Sequence, residues 1–205
     1  MPPANQATRQ RILMTAIELF WEKGFNSTSI SDILSRSQLH SGSLYHFFPG
    51  KQDLLIGVLE YYRDGIRENL LEPAWKGVDD PIARIFALLD GYRTQLVLTD
   101  CTYGCPVGNL ALEIHEPDPK VRELLAINFT NWSRAIEACL ERAGQRLGEI
   151  DRRALSEFVL TVMEGALMQA RTYRDLGYFD RNVAVLRNHF ALLEEQARQN
   201  GERVS

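Results

Sequence analysis

Cysteine is scarce: Cys101, Cys105 and Cys139 are the whole supply in 205 residues. So small and odd a number gives no structural disulfide framework, and reduced thiols are expected. The four histidines, at 40, 46, 115 and 189, are dispersed, and neither His-Glu-x-x-His nor Cys-x-x-Cys spacing occurs. A metal site therefore has no local support. Glu113 and His115 stand two residues apart and point to different sides of a helix, and no serine-histidine or cysteine-histidine pairing is spaced for nucleophilic catalysis. No glycine-rich segment ends in Gly-Lys-Ser/Thr, so a phosphate loop is also missing. These absences argue against an enzyme and against a cofactor. No apolar run reaches the length of a membrane span, and Met1 to Gln6 lacks the apolar core of a secretory leader, which points to the cytoplasm. Strand-like alternation, internal repeats and low-complexity stretches are missing too.

What is present is a chain with 45% hydrophobic residues, enough for a sizeable core, and a net charge of -4 that is unevenly spread. Residues 1–51 hold five basic side chains (Arg9, Arg11, Lys23, Arg36, Lys51) against three acidic ones (Glu18, Glu22, Asp32), a balance of +2; the remainder holds 18 basic and 24 acidic residues. A basic head on an acidic body suits a protein that meets a polyanion with one end.

Helical periodicity covers the chain. Ile12, Leu13, Ala16, Ile17, Leu19 and Phe20 make one stripe over about Thr8 to Lys23, closed by Gly24. Thr28 or Ser29 can cap a second helix, Ser29 with Asp32 three residues on forming a short-armed capping box. Ile30, Ile33 and Leu34 hold that helix to the core, and Leu44, Phe47 and Phe48 hold the next. Ser41, Ser43, Tyr45 and His46 then face outward, and Pro49-Gly50 stops the helix before Lys51 opens another. Two short helices joined by a tight turn, the second with a polar outer face, read as a helix-turn-helix. A connector from Lys51 to about Glu72 follows, ended by Pro73. Further amphipathic helices are expected over 82–96, 107–115, 119–146, 151–176 and 181–199, giving an all-α chain of about nine helices.

The residues Thr28-Ser29-Ile30-Ser31-Asp32-Ile33, Gly42-Ser43-Leu44-Tyr45-His46-Phe47-Phe48 and Lys51-Gln52-Asp53-Leu54-Leu55 resemble the N-terminal DNA-binding domain of TetR/AcrR-type transcriptional regulators. The resemblance implies a three-helix DNA-binding domain over residues 1–51 and a helical ligand-binding and dimerisation domain over 52–205. It implies a repressor released from an inverted-repeat operator in double-stranded DNA by an unknown small-molecule inducer. In a dimer two recognition helices about 34 Å apart would enter successive major grooves. Ser41, Ser43, Tyr45 and His46 are placed nearest the bases, with Gly42 permitting close approach; Thr28, Ser29, Tyr45 and Lys51 are the expected phosphate contacts. Two positions depart from the family pattern. Gln38 stands where the turn usually has glycine, and His40-Ser41 replaces the usual Ser-Lys, so either residue could cap the recognition helix and one expected cation is missing.

In the body, Gly104-Cys-Pro-Val-Gly-Asn-Leu-Ala-Leu-Glu113 resembles a segment from one branch of the family, and its Cys105, Asn109 and Glu113 fall roughly on one helix face. Tyr92, Cys105, Asn109, Trp132, Met163 and Met168 could line a ligand pocket, or serve as core; Glu113, Glu164 or Arg93 could select ligand charge, or be paired on the surface. Cys105 could instead be the sensing group, modified by an electrophile or oxidant with Cys101 as resolving partner, or could be a buried, inert thiol. A body that docks a protein and takes no small ligand is the third reading. The helix over 151–176 has more apolar surface than one neighbour needs. Phe158 and Val162 on it, with Leu186, Phe190 and Leu193 on the last helix, are the expected homodimer seam of a four-helix bundle.

Overall fold

A computed structural model describes residues 4–204, with side chains over 5–202; Met1 to Pro3, the start of the stretch considered above as a leader, lie outside the described residues. Helix α1 (Ala4–Lys23) begins before Thr8, since nothing between Ala4 and Ala7 interrupts it, and buries Ile12, Ala16, Leu19 and Phe20. Gly24, at φ +85, turns the chain out of it. Helix α2 (Ile30–Ser37) starts at a complete capping box: Asp32 N donates to Ser29 Oγ at 3.0 Å and Ser29 N donates to Asp32 Oδ2 at 2.8 Å. After a tight turn comes α3 (Ser41–Phe47), and both short helices pack on α1.

Helix α4 (Lys51–Ile66) runs without a break through a π turn (Arg67–Leu71) into α5 (Glu72–Trp75). Pro73 therefore does not end this segment, contrary to expectation. The wider turn, closed by Glu72 N–H on Arg67 O, carries the helix past a residue that has no N–H to give. Asp80 caps α6 (Pro81–Leu98) by accepting from Ala83 N at 2.8 Å. Then follow α7 (Pro106–Glu113), α8 (Pro119–Ala143) with a 3-10 turn (Gly144–Leu147), α9 (Arg152–Tyr173) and α10 (Gly177–Val204). With α4, the π turn and α5 taken as one, the described residues make the nine helical segments expected and no strand.

The chain divides into two compact units that do not follow a cut after residue 51. The first joins Met1–Asp64 to Pro106–Asn128; the second joins Gly65–Cys105 to Phe129–Ser205. Within the first unit, α7 packs on α1. The buried amide of Asn128 donates to Leu59 O at 3.0 Å and to Leu124 O at 2.9 Å, tying the first half of α8 to the middle of α4. These long-range ties are why the first unit takes in more chain than periodicity alone assigns. Within the second unit α6, α9 and α10 pack together. Phe86 meets Phe190 edge-on at 5.3 Å, and Arg146 bridges Asp80 and Glu194.

Candidate nucleic-acid interface

The three-helix head is built so that α3 shows one side to solvent. Leu44 is fully buried and Phe48 nearly so, whereas His40, Ser41, Gly42, Tyr45 and His46 are exposed or partly so and Ser43 is half-buried. Tyr45 is 51% exposed despite its size, which matters because an aromatic ring left in water on a short helix is available to a partner surface. His46 lies edge-on to Phe47 at 4.7 Å, which limits its swing. His40 occupies the N-cap position but makes no side-chain cap bond, so the first amides of α3 remain open on the exposed end. No lysine or arginine lies on α3, and the polar groups it offers to solvent are hydroxyl, imidazole, phenol and backbone.

The turn before α3 contains a left-handed residue at the position where glycine is usual: Gln38 has φ 53 and ψ 41. A non-glycine residue there costs on the order of 1–2 kcal/mol, and Arg11 on α1 supplies an offset. Its Nε donates to Ser37 O at 2.8 Å, and Nη2 donates to Ser37 O and to Gln38 O. We predict that Arg11→Ala lowers head stability by about 1.5 kcal/mol in chemical denaturation and weakens DNA binding with it.

Of the residues expected at phosphates, Ser29 is exposed and Lys51 partly so, whereas Thr28 is buried. Thr28 is 1% exposed, and its hydroxyl donates to Gly24 O at 2.7 Å and Leu19 O at 3.3 Å, holding the end of α1. A buried hydroxyl needs an acceptor, and the carbonyls at the end of α1 supply it, which outweighs any solvent-facing role. Ser29 is exposed and shares its Oγ with Asp32. Lys51 lies 4.3 Å over the Phe25 ring and donates to Asn26 O at 3.3 Å, leaving N–H capacity toward solvent. Partial burial pulls its pKa down, while Glu113 and Asp32 nearby pull it up.

Asp32 is held down to about 2, first by the Ser29 hydroxyl and amide and then by Lys23. A depressed carboxyl contributes stability that is complete above its unfolded pKa and fades as pH falls toward the folded one. The α2 cap is therefore expected to weaken between about pH 3.8 and 2. Asp32→Asn should abolish that part of the acid transition, as followed by helix signal.

Glu113, expected in a ligand pocket, instead serves the head. Its Oε2 accepts from Phe25 N at 2.8 Å and its Oε1 from Asn26 N at 2.5 Å, while a Cβ at Gly24 would sit 2.8 Å from Oε2. The loop after α1 thus folds around a carboxylate contributed by α7. Periodicity cannot reveal this, because a tie across 88 residues leaves no local trace. Gly24 signals the turn and nothing of its partner.

The other expected pocket residues divide. Tyr92, Cys105, Trp132 and Met163 are buried and Asn109 is half-buried, whereas Met168 is 51% exposed on α9. Met168 lies one residue beyond buried Leu167, so the helix turn carries it off the core side. Two sealed polar atoms of the second unit lack a hydrogen-bond partner among the described residues, Trp132 Nε1 and Glu164 Oε1. Burial pushes the Glu164 carboxyl up, and a hydrogen bond from the Cys105 thiol pulls it partly back. Spacing offers Glu164 only as a charge selector and gives no sign of its burial. Burial also raises the thiol pKa of Cys101 and of Cys139. Arg93, the other charge candidate, is paired with Asp180 at 2.7 Å.

Two of the residues expected at the seam lie in the core of their own chain. Leu186 and Phe190 are 1% and 2% exposed inside their own chain, and Phe190 meets Phe86 of α6 edge-on. Val162 and Leu193 are half-buried. Among the described residues, the large apolar side chains that α9 and α10 expose are Phe158, Met168, Tyr173, Val185 and Leu192. Among the described residues no helix is long and apolar enough to cross a membrane.

Comparison with known proteins agrees with this geometry. Residues 12–58 match the family of bacterial regulatory proteins, tetR family, and residues 81–185 match the C-terminal domain of LmrA/YxaF-like transcriptional regulators. An uncharacterized HTH-type transcriptional regulator of Mycobacterium tuberculosis is 32% identical over 189 residues, covering 89% of this chain and 94% of the relative. The HTH-type transcriptional regulator LmrA of Bacillus subtilis is 28% identical over 169 residues, covering 82% and 88%. In fold, the regulatory protein TetR from Rhodobacter sphaeroides is similar with a TM-score of 0.80 at 24% identity, covering 88% of this chain and 97% of that one. An all-α chain with an N-terminal helix-turn-helix of this kind is a DNA-binding transcriptional regulator. The chain belongs to the TetR family, with a body of the LmrA/YxaF-like type.

Proposed function

We propose that the protein acts as a homodimeric repressor that holds an inverted-repeat operator through α3 and releases it when a small molecule enters the second unit. The observation that carries the release step is the pair of sealed, partnerless polar atoms, Trp132 Nε1 and Glu164 Oε1. Each such atom costs about 1–3 kcal/mol when left unmade, and a ligand offering an acceptor to the indole or a donor to the carboxyl removes that cost. Dimerisation is supported by the solvent-facing apolar residues of α9 and α10, Phe158, Val185 and Leu192 among them. A repressor role is also what the name of one relative states: DhaR of Mycobacterium sp. (strain GP1), 23% identical over 187 residues, is a transcriptional repressor.

In this scheme Ser41, Gly42, Ser43, Tyr45 and His46 read the major groove, while Ser29, His40 and Lys51 meet phosphates. The route from ligand to head follows the chain. Cys105, bonded to Glu164, directly precedes α7, whose last residue is Glu113, the anchor of the Gly24–Asn26 loop. The connector helix beginning at Lys51 is the second route. Ligand and operator then weaken each other by the same factor, commonly about 5 to 150 fold. The test is titration of an operator duplex, followed by anisotropy, with and without a ligand found by thermal-shift screening. Equal operator affinity in both states would reject ligand release.

The hydrogen bond between Cys105 and Glu164 favours a second reading, in which Glu164 accepts the thiol proton and Cys105 reacts with an electrophile. Cys105→Ser separates the two: it abolishes the response under this reading and preserves it under the first.

A further inference from the structure

The second unit has an open cavity of about 450 Å³ beside the π turn, lined by Arg67, Leu71, Glu72, Trp75 and Arg84. Its size is that of small-molecule sites, and π turns set into helices are frequent at functional positions. The walls are pre-set. Trp75 Nε1 donates to Arg84 O at 3.0 Å, Arg84 Nε donates to Val78 O at 2.7 Å, and the Arg84 guanidinium lies 5.4 Å from the Trp75 ring centroid. Arg84 is thus fixed through Nε, which leaves its terminal nitrogens to face the cavity it lines. Arg67 is held in the same way, Nε to Glu72 Oε1 at 2.9 Å, with its terminal nitrogens open. Glu72 is the one acid in the lining and neutralises one of two guanidinium groups. Leu71 is buried and supplies an apolar wall.

A planar fork of donors matches a carboxylate, and an indole face beside a leucine matches a flat ring. We propose that this cavity binds an aromatic carboxylate, its ring against Trp75 and Leu71 and its carboxylate displacing Glu72 from Arg67 while Arg84 approaches from the other wall. Its lining includes no residue of α1, α2 or α3, and neither Trp132 nor Glu164.

The experiment is calorimetric titration of the full-length protein with 2-naphthoate and, as the uncharged isostere, 2-naphthamide. Naphthoate is expected to bind at least about ten-fold more tightly than the amide, which cannot form the charge-assisted pairing. Arg67→Gln, at an exposed side chain with no packing role, should weaken naphthoate by a similar factor. Glu72→Gln removes the internal competitor and should tighten it about two- to five-fold, the range of an exposed ion pair. A gain of this kind cannot come from a misfolded variant. No heat with naphthoate, equal binding of acid and amide, or indifference to both substitutions would overturn the proposal.

Discussion

Replacing Glu113 with alanine is expected to destabilise the first unit by about 2–4 kcal/mol, since it strips the partners from two backbone amides that now donate to a charged acceptor. The amides belong to Phe25 and Asn26, in the loop that joins α1 to the α2 cap. With the loop released, the spacing of α1 and α2 relaxes, and operator affinity should fall by about ten-fold or more. Glu113→Gln keeps one carbonyl acceptor and should lose less. Gly24→Ala approaches the same endpoint from the other side, because its methyl group would enter the space of Glu113 Oε2 and its φ of +85 disfavours a side chain. The two losses should not add in the double variant, since each breaks the same interaction. Chemical denaturation of the four variants beside the parent protein, read by helix signal and by operator binding, checks this. Full head stability in Glu113→Ala would show that the loop stands without the carboxylate.

The second large effect is on recognition itself. Tyr45→Ala and His46→Ala remove exposed groups from α3, so neither should change stability by more than about 0.5 kcal/mol. On an operator each should cost about 1–3 kcal/mol in every half-site, and a dimer occupies two. Affinity should therefore drop by about thirty-fold or more for either variant. Lys51→Ala is the contrast: it should weaken all sequences alike and reduce the salt slope. Anisotropy on operator and scrambled duplexes at several salt concentrations distinguishes the patterns. Unchanged operator affinity in both α3 variants would move recognition off that helix.

Local signals make the head legible. Ser29 and Asp32 at capping-box spacing, Leu44 and Phe48 at helical spacing, and Pro49-Gly50 as a stop are all short-range, and each occupies the place in the fold that its spacing implies. The unusual Gln38 is left-handed as its position in the turn requires, but the Arg11 clamp across 26 residues has no local signature. Long-range partners explain the other differences. Thr28 turns inward because two carbonyls are within reach, and Glu113 goes to the head because two amides are. Leu186 and Phe190 fill their own chain's core, Phe190 against Phe86 of α6. A hydrophobic seam can be read from sequence; which neighbour takes it cannot. The π turn at Arg67–Leu71 has no sequence signature beyond nearby Pro73, so the cavity beside it is visible only in the structure.

The most direct test of the central claim is selection of genomic DNA by the purified protein, followed by titration of the recovered site. The account predicts one inverted repeat with half-sites about one helical turn apart, bound by two chains together and no longer bound after Tyr45→Ala. Binding that is weak, indifferent to sequence and unaffected by Tyr45→Ala would contradict it.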